Sequence, residues 1–168
     1  LQYEHLTSGG RGVTGSEQSL LYLAASQAAF GHEVTVYVPT DKPGYSYGVE
    51  MLDYTSAWPR LRKMDTADVV VSWLSADSLR GLSSDKLRVH SIQINDWWIN
   101  AFDYPKWVDV FVCVTETHRN FLWSQVGNPG TSGAIEILPN GTDFIDAGRG
   151  IRKSKKCVYS SSPDRGLH

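Results

Sequence analysis

Thr14-Gly15-Ser16-Glu17, then Leu20, Leu23, Ala24 and Ala28, then Gly31-His32-Glu33-Val34-Thr35-Val36-Tyr37-Val38: this run reads as a helix delivered straight into a strand. The Thr14-to-Glu17 spacing fits a capping box, in which the side chains at both ends satisfy backbone N–H groups that the first helical turn leaves open. Leu20, Leu23, Ala24 and Ala28 recur at helical spacing and are expected to form one apolar face. Gly31 supplies a C-terminal stop. The alternating Val34 to Val38 that follows favours an extended backbone.

The same alternation continues along the chain. Val34 to Val38, Val69-Val70-Val71-Ser72-Trp73, Val89 to Ile94 and Val108 to Val114 are β-branched-rich runs expected to be strands buried on both faces, and Ile135 to Leu138 adds another. Glu116 to Val126 lies between the last two and carries Phe121, Leu122 and Val126 at helical spacing. Strands alternating with helical stretches predict an α/β fold, Rossmann-like, with a mainly parallel sheet flanked by helices. Leu1 to Leu6 is placed as its first strand, but Gln2, Glu4 and His5 interrupt it, so either the true start lies upstream or this strand is unusually polar. Pro39 to Pro59 has no clear period and is expected to be a long loop with a short strand near Val49 to Leu52.

Size and composition exclude several classes. A chain of 168 residues is enough for one domain with a substantial core. With 41% hydrophobic and 20% charged residues it has an ordinary globular composition. A net charge of -2 gives no general attraction to nucleic acid. No apolar run approaches the roughly 20 residues that span a bilayer, and no signal peptide is visible, so the cytoplasm is the default location. Cys113 and Cys157 lie inside apolar runs and read as reduced, buried thiols. The five histidines are scattered, and no metal site is expected.

The loop Ser8 to Gly15 follows a strand and opens a helix, which is where a pyrophosphate is held. Glycines allow close backbone approach, and the free N–H groups of a helix start favour negative charge, which selects Gly12 and Gly15 as phosphate contacts. Gly10, Gly12 and Gly15 match the G-x-G-x-x-G spacing of dinucleotide-binding proteins. A nicotinamide enzyme would want an acidic residue ending the second strand, where this chain has Tyr37-Val38-Pro39, with Asp41 a little beyond. A tight turn with no ligand is the remaining alternative.

Ligands of open α/β sheets bind beyond the carboxyl ends of the strands. Asn95 and Asp96 follow one strand there, and Glu116 and His118 follow the next, which makes these four the candidate catalytic residues. Capping by Thr115 or Thr117, with Glu116 at the positive helix end, explains much of the second group without catalysis. Trp97, Trp98, Phe102, Tyr104 and Trp107 form an aromatic cluster suited to stacking on sugars, to contact with a membrane interface, or to covering the sheet.

Two phrases near the end carry a family resemblance. Ile137-Leu138-Pro139-Asn140-Gly141-Thr142-Asp143 and Val158-Tyr159-Ser160-Ser161-Ser162-Pro163-Asp164-Arg165-Gly166 each read as a strand running into a polar turn. They resemble the hinge of nucleotide-sugar glycosyltransferases of the two-Rossmann-domain (GT-B) architecture, especially the retaining glycosyltransferase family four. In that family the first domain closes with proline-asparagine-glycine-x-aspartate, and the second opens with a strand leading to a basic residue and glycine. Gly31-His32-Glu33-Val34 and Thr115-Glu116-Thr117-His118-Arg119 are also similar to family segments. The resemblance gives His32 a structural role. Where many members carry a histidine that contacts the transferred sugar, this chain has Asn95-Asp96.

The resemblance implies that residues 1–150 form the N-terminal, acceptor-side domain, and that 151–168 are the hinge and the start of a truncated donor-binding domain. It implies a hexosyltransferase-like enzyme with a nucleotide-diphosphate sugar as donor substrate, no cofactor, and a sugar or lipid acceptor. Gly12, Gly15, Asn140 and Arg165 would contact donor or acceptor, Arg165 by neutralising donor phosphates. A lipid acceptor would bring the protein to the inner face of the membrane. Cut at the domain junction, the chain alone would be inactive. The alternatives are an NAD(P)-dependent oxidoreductase domain and a non-catalytic nucleotide- or sugar-binding module.

Overall fold

The computed structural model describes residues 15–40, 42–54, 64, 66–73, 75–93, 101–126 and 134–141. Leu1 to Leu6, the glycine loop before Gly15 and residues 142–168 lie outside them.

Helix α1 spans Gly15–Ala29 with Glu17 in its first turn. Its end shows why the sequence stops there. Gly31 takes φ 94°, donates its N–H to Ala28 O at 3.0 Å, and lets His32 N–H reach Gln27 O at 3.2 Å. These two bonds close carbonyls that the last turn would leave open, in a conformation that glycine adopts without a Cβ penalty. His32 contributes its backbone, and its side chain is exposed. Leu21 and Ala24 are buried, with Leu20 and Ala28 packed beside them. The expected face therefore rotates, with Leu21 taking the buried place assigned to Leu23.

That face covers a three-stranded sheet of order β1-β3-β2, in which β1 is Val34–Val38, β2 Gly44–Ser46 and β3 Val49–Asp53. Strands β1 and β3 run parallel with Val36 beside Met51, and both residues are buried. Strand β2 pairs antiparallel to β3. The short strand expected near Val49 to Leu52 is thus present as β3, and β2, which was not expected, makes a hairpin with it. Tyr47 and Gly48 connect its strands with φ 52° and 78°, the pair of positive values that lets a two-residue turn follow the strand twist.

The larger sheet is all parallel, in the order β4-β5-β6-β7, and comprises Val69–Trp73, Leu87–Ile92, Val110–Cys113 and Ala134–Ile137. Helix α2, Glu116–Val126, connects β6 to β7. One face of the sheet carries Val70, Ile92, Phe111 and Cys113, packed with Leu122 of α2, Tyr104 and Val108, and the short 3-10 turn Ala76–Leu79. Four parallel strands with helices packed on them are a Rossmann-like α/β arrangement.

Burial on both faces does not hold for β4 or for the start of β5. Val69 and Val71 are 49% and 40% exposed, and Leu87, beside Val69, is 45% exposed. The sheet alternates buried and open positions because α2 and the two 3-10 turns pack on the face that carries Phe111. Boundaries also move. Strand β5 begins at Leu87 rather than Val89, and Val108 belongs to the end of the turn Ala101–Lys106, since its N–H bonds Tyr104 O at 2.9 Å. Among the described residues, no helix is long and apolar enough to cross a membrane.

Candidate functional site

Because β5, β6 and β7 run parallel, with Ile92, Cys113 and Ile137 in one row, the residues that follow them share the carboxyl edge. Strand β5 hands over to Gln93, β6 to Thr115 and Glu116, and β7 to Leu138. Leu138 N–H extends the ladder to Cys113 O at 2.9 Å. Two residues later the exposed Asn140 donates its Nδ2 to Gln93 Oε1 at 3.0 Å, across the width of β6. Gln93 in turn donates Nε2 to Ser91 Oγ at 3.2 Å. The Pro139-Asn140-Gly141 phrase therefore stands at the carboxyl edge.

The start of α2 occupies the same edge. Thr115 caps it: its hydroxyl oxygen accepts from His118 N–H at 3.1 Å, and its carbonyl accepts from Arg119 N–H at 3.0 Å. Glu116 is exposed and accepts from the Arg119 guanidinium, which lies 4.8 Å from the centre of the Trp123 ring. His118 is 5% exposed. One helical turn thus holds both candidates, Glu116 facing solvent and His118 facing inward. Gly15 is exposed at the first position of α1. Gly12, Asn95, Asp96 and Arg165 lie outside the described residues.

Part of the aromatic cluster covers the sheet. Tyr104 is buried with its ring 5.5 Å from that of His90, edge to face, and Trp107 lies 6.0 Å from Tyr104. Arg80 places its guanidinium 5.4 Å from the Trp107 ring. Trp97, Trp98 and the Phe102 side chain lie outside the described residues.

Two polar pairs were not read from the sequence. Burial pushes the imidazole of His90 down to about 4, against opposing contributions from Ser72 and Asp77, so it is neutral at pH 7. Arg88 grips Asp109 with two bonds, Nε to Oδ2 at 2.9 Å and Nη2 to Oδ1 at 2.7 Å, at the amino ends of β5 and β6. The only signals were a histidine in an apolar run and an opposite charge opening each of two neighbouring strands. Cys113 is a buried free thiol, which burial raises to about 11 and a nearby Arg119 charge lowers less. It is no nucleophile at neutral pH.

Among the described residues, no group of three or more His, Cys, Asp or Glu could hold a metal ion. A hollow of about 380 Å3 lies apart from the carboxyl edge, lined by Glu33, Val34, Thr35, Tyr45 and Glu50 of the smaller sheet. Thr35 already donates its hydroxyl to Glu50 there at 2.9 Å. The carboxyl edge of the larger sheet instead offers amides, a carboxylate and an arginine, groups that exchange hydrogen bonds with hydroxyls. Comparison of the chain with protein-family models, curated proteins and solved structures gives no significant match.

Proposed function

We propose that this chain is the N-terminal, acceptor-side domain of a GT-B glycosyltransferase similar to family four. The parent enzyme moves a sugar from a nucleotide diphosphate to a hydroxyl of a sugar or lipid acceptor, with retention at the anomeric carbon. One observation carries the reading. The Pro139-Asn140-Gly141 turn, the phrase that resembles the family hinge, is hydrogen-bonded to Gln93 at the carboxyl edge of a parallel sheet. That edge is where open α/β sheets hold their ligands.

In this reading Asn95 and Asp96, directly after Gln93 and Ile94, meet the transferred sugar and acceptor, and Glu116 hydrogen-bonds acceptor hydroxyls. Gly12, Gly15 and the N-terminus of α1 approach the donor diphosphate from this domain, and Arg165 does so from the next. Preorganised donors at the leaving diphosphate stabilise the transition state as the anomeric carbon becomes positive. The reaction takes place on the cytoplasmic side, where nucleotide sugars are made.

Most of the donor is held by the second domain, so positioning worth about 7–11 kcal/mol of the barrier is absent from this chain alone. The test is release of nucleotide diphosphate from a panel of nucleotide sugars, with acceptors, by the 168-residue chain and by a version that continues into a second domain. Turnover is expected only from the longer protein. Equal turnover by both, or none by either across the panel, sinks the reading.

A further inference from the structure

The Pro139–Gly141 turn has few means of holding its direction. Pro139 has no N–H to donate. The sheet ladder ends at Leu138, whose N–H reaches Cys113 O. A Cβ added to Gly141 would meet nothing within 4 Å. Among the described residues, the bond from Asn140 Nδ2 to Gln93 Oε1 is the one hydrogen bond that reaches the turn, and it spans 47 positions of sequence. Gln93 is itself steadied, because its Nε2 donates to Ser91 Oγ, and Ser91 is buried.

We infer that Gln93 is a positioning residue whose side-chain amide fixes the direction in which the chain leaves β7, tying the exit turn to the carboxyl end of β5. A single exposed hydrogen bond contributes about 0.5–1.5 kcal/mol, enough to favour one direction and little enough to be exchanged for another. The device is therefore a releasable tether. It joins two candidate segments, the one that begins after Gln93 and the one that contains Asn140. What the tether serves rests on the glycosyl-transfer reading, whereas its existence and effect do not.

The experiment uses the 168-residue chain and needs no substrate. In Gln93→Leu, the side-chain amide resonances of Asn140 are expected to move. The residual dipolar coupling of the Gly141 N–H is expected to shrink as the turn samples other directions. Freedom of the turn should rise roughly two- to twelve-fold, the equivalent of one hydrogen bond. Gln93→Asn, whose side chain is one methylene shorter, should behave like Gln93→Leu. Combining Gln93→Asn with Asn140→Gln restores the summed length and should return the Gly141 coupling towards the wild-type value. Unchanged Asn140 resonances in Gln93→Leu, or a Gly141 coupling indifferent to all three variants, overturn the inference. Failure of sugar transfer by the longer protein would overturn the proposed function and leave these readouts standing.

Discussion

The hydroxyl oxygen of Ser72 lies 2.8 Å from Nδ1 of His90, side by side on neighbouring strands inside the core of the larger sheet. The edges of Tyr104 and Phe111 close around the same imidazole, with ring centroids at 5.5 and 6.2 Å. A proton added to His90 would place a charge among aromatic rings, which is why burial holds its pKa near 4 against an ordinary 6.5.

The sign follows from proton counting. Between about pH 6.5 and pH 4 the unfolded chain protonates this imidazole and the folded chain does not, so stability falls as the pH drops through that window. The contribution is fully present above pH 6.5 and amounts to the order of 3 kcal/mol at most. Urea unfolding at pH 7 and pH 4.5 should show a drop for wild type that is smaller in His90→Leu. An identical drop in both proteins would mean that His90 does not carry it.

Asp109 should matter as much as a core residue. It accepts from Arg88 three times, twice from the guanidinium and once from the backbone N–H at 2.8 Å, and the guanidinium holds its carboxyl below the usual range. Removing it as Asp109→Ala should cost about 1.5–3 kcal/mol at pH 7, the range for hydrogen bonds to a charged group. Because the folded pKa is lowered, this contribution is present above the ordinary carboxylate pKa and fades as the pH falls through the lowered value. Denaturant titrations of both proteins at neutral pH and below pH 4 should show the gap closing. Arg88→Lys should not preserve it, since an ammonium cannot make the paired contact.

The hairpin turn predicts opposite effects at adjacent positions. Tyr47 occupies a left-handed conformation that suits asparagine better, so Tyr47→Asn should raise the thermal midpoint. Gly48 takes φ 78° and stands where an added Cβ would come within 3.0 Å of Ala28 Cβ on α1. Gly48→Ala should therefore lower stability by at least the roughly 1–2 kcal/mol that such a conformation costs a residue with a Cβ. Thermal scans of the two variants moving in the same direction would contradict this turn geometry.

Cys113 should resist modification. Its thiol is buried and raised to about 11, so in a Cys157→Ser background iodoacetamide at pH 8 should label the protein only after denaturant is added. Rapid labelling of the native protein, followed by mass spectrometry, would show that β6 opens readily.

Legibility in the sequence followed the range of the interaction. Strand β1 and helix α2 were read to the residue, because Gly31 and Thr115 are local signals for where a helix stops and starts. Strand β3 was legible near Val49, but its hairpin partner β2 was missed because Tyr47-Gly48 lacks the asparagine or aspartate that usually marks such a turn. Strand β5 was placed two residues late, since Arg88 looks too polar to belong until Asp109 is seen beside it, 21 positions away. Within the candidate site, Asn140 was legible as part of a phrase. Its partner Gln93 was not, because that contact depends on the order β5-β6-β7, which hydrophobic periodicity does not encode.

Among the described residues, the buried apolar side chains fall into two clusters with no member in common, one from Leu21 to Met51 and one from Val70 to Leu122. Each is drawn from an unbroken part of the chain, so neither waits for residues of the other, and the loops to be closed stay short. Gly15 through Asp53 is synthesised before any strand of the second cluster. Synthesis and burial thus run in the same direction, and the hairpin with its helix can bury its apolar side chains while the larger sheet is still being translated.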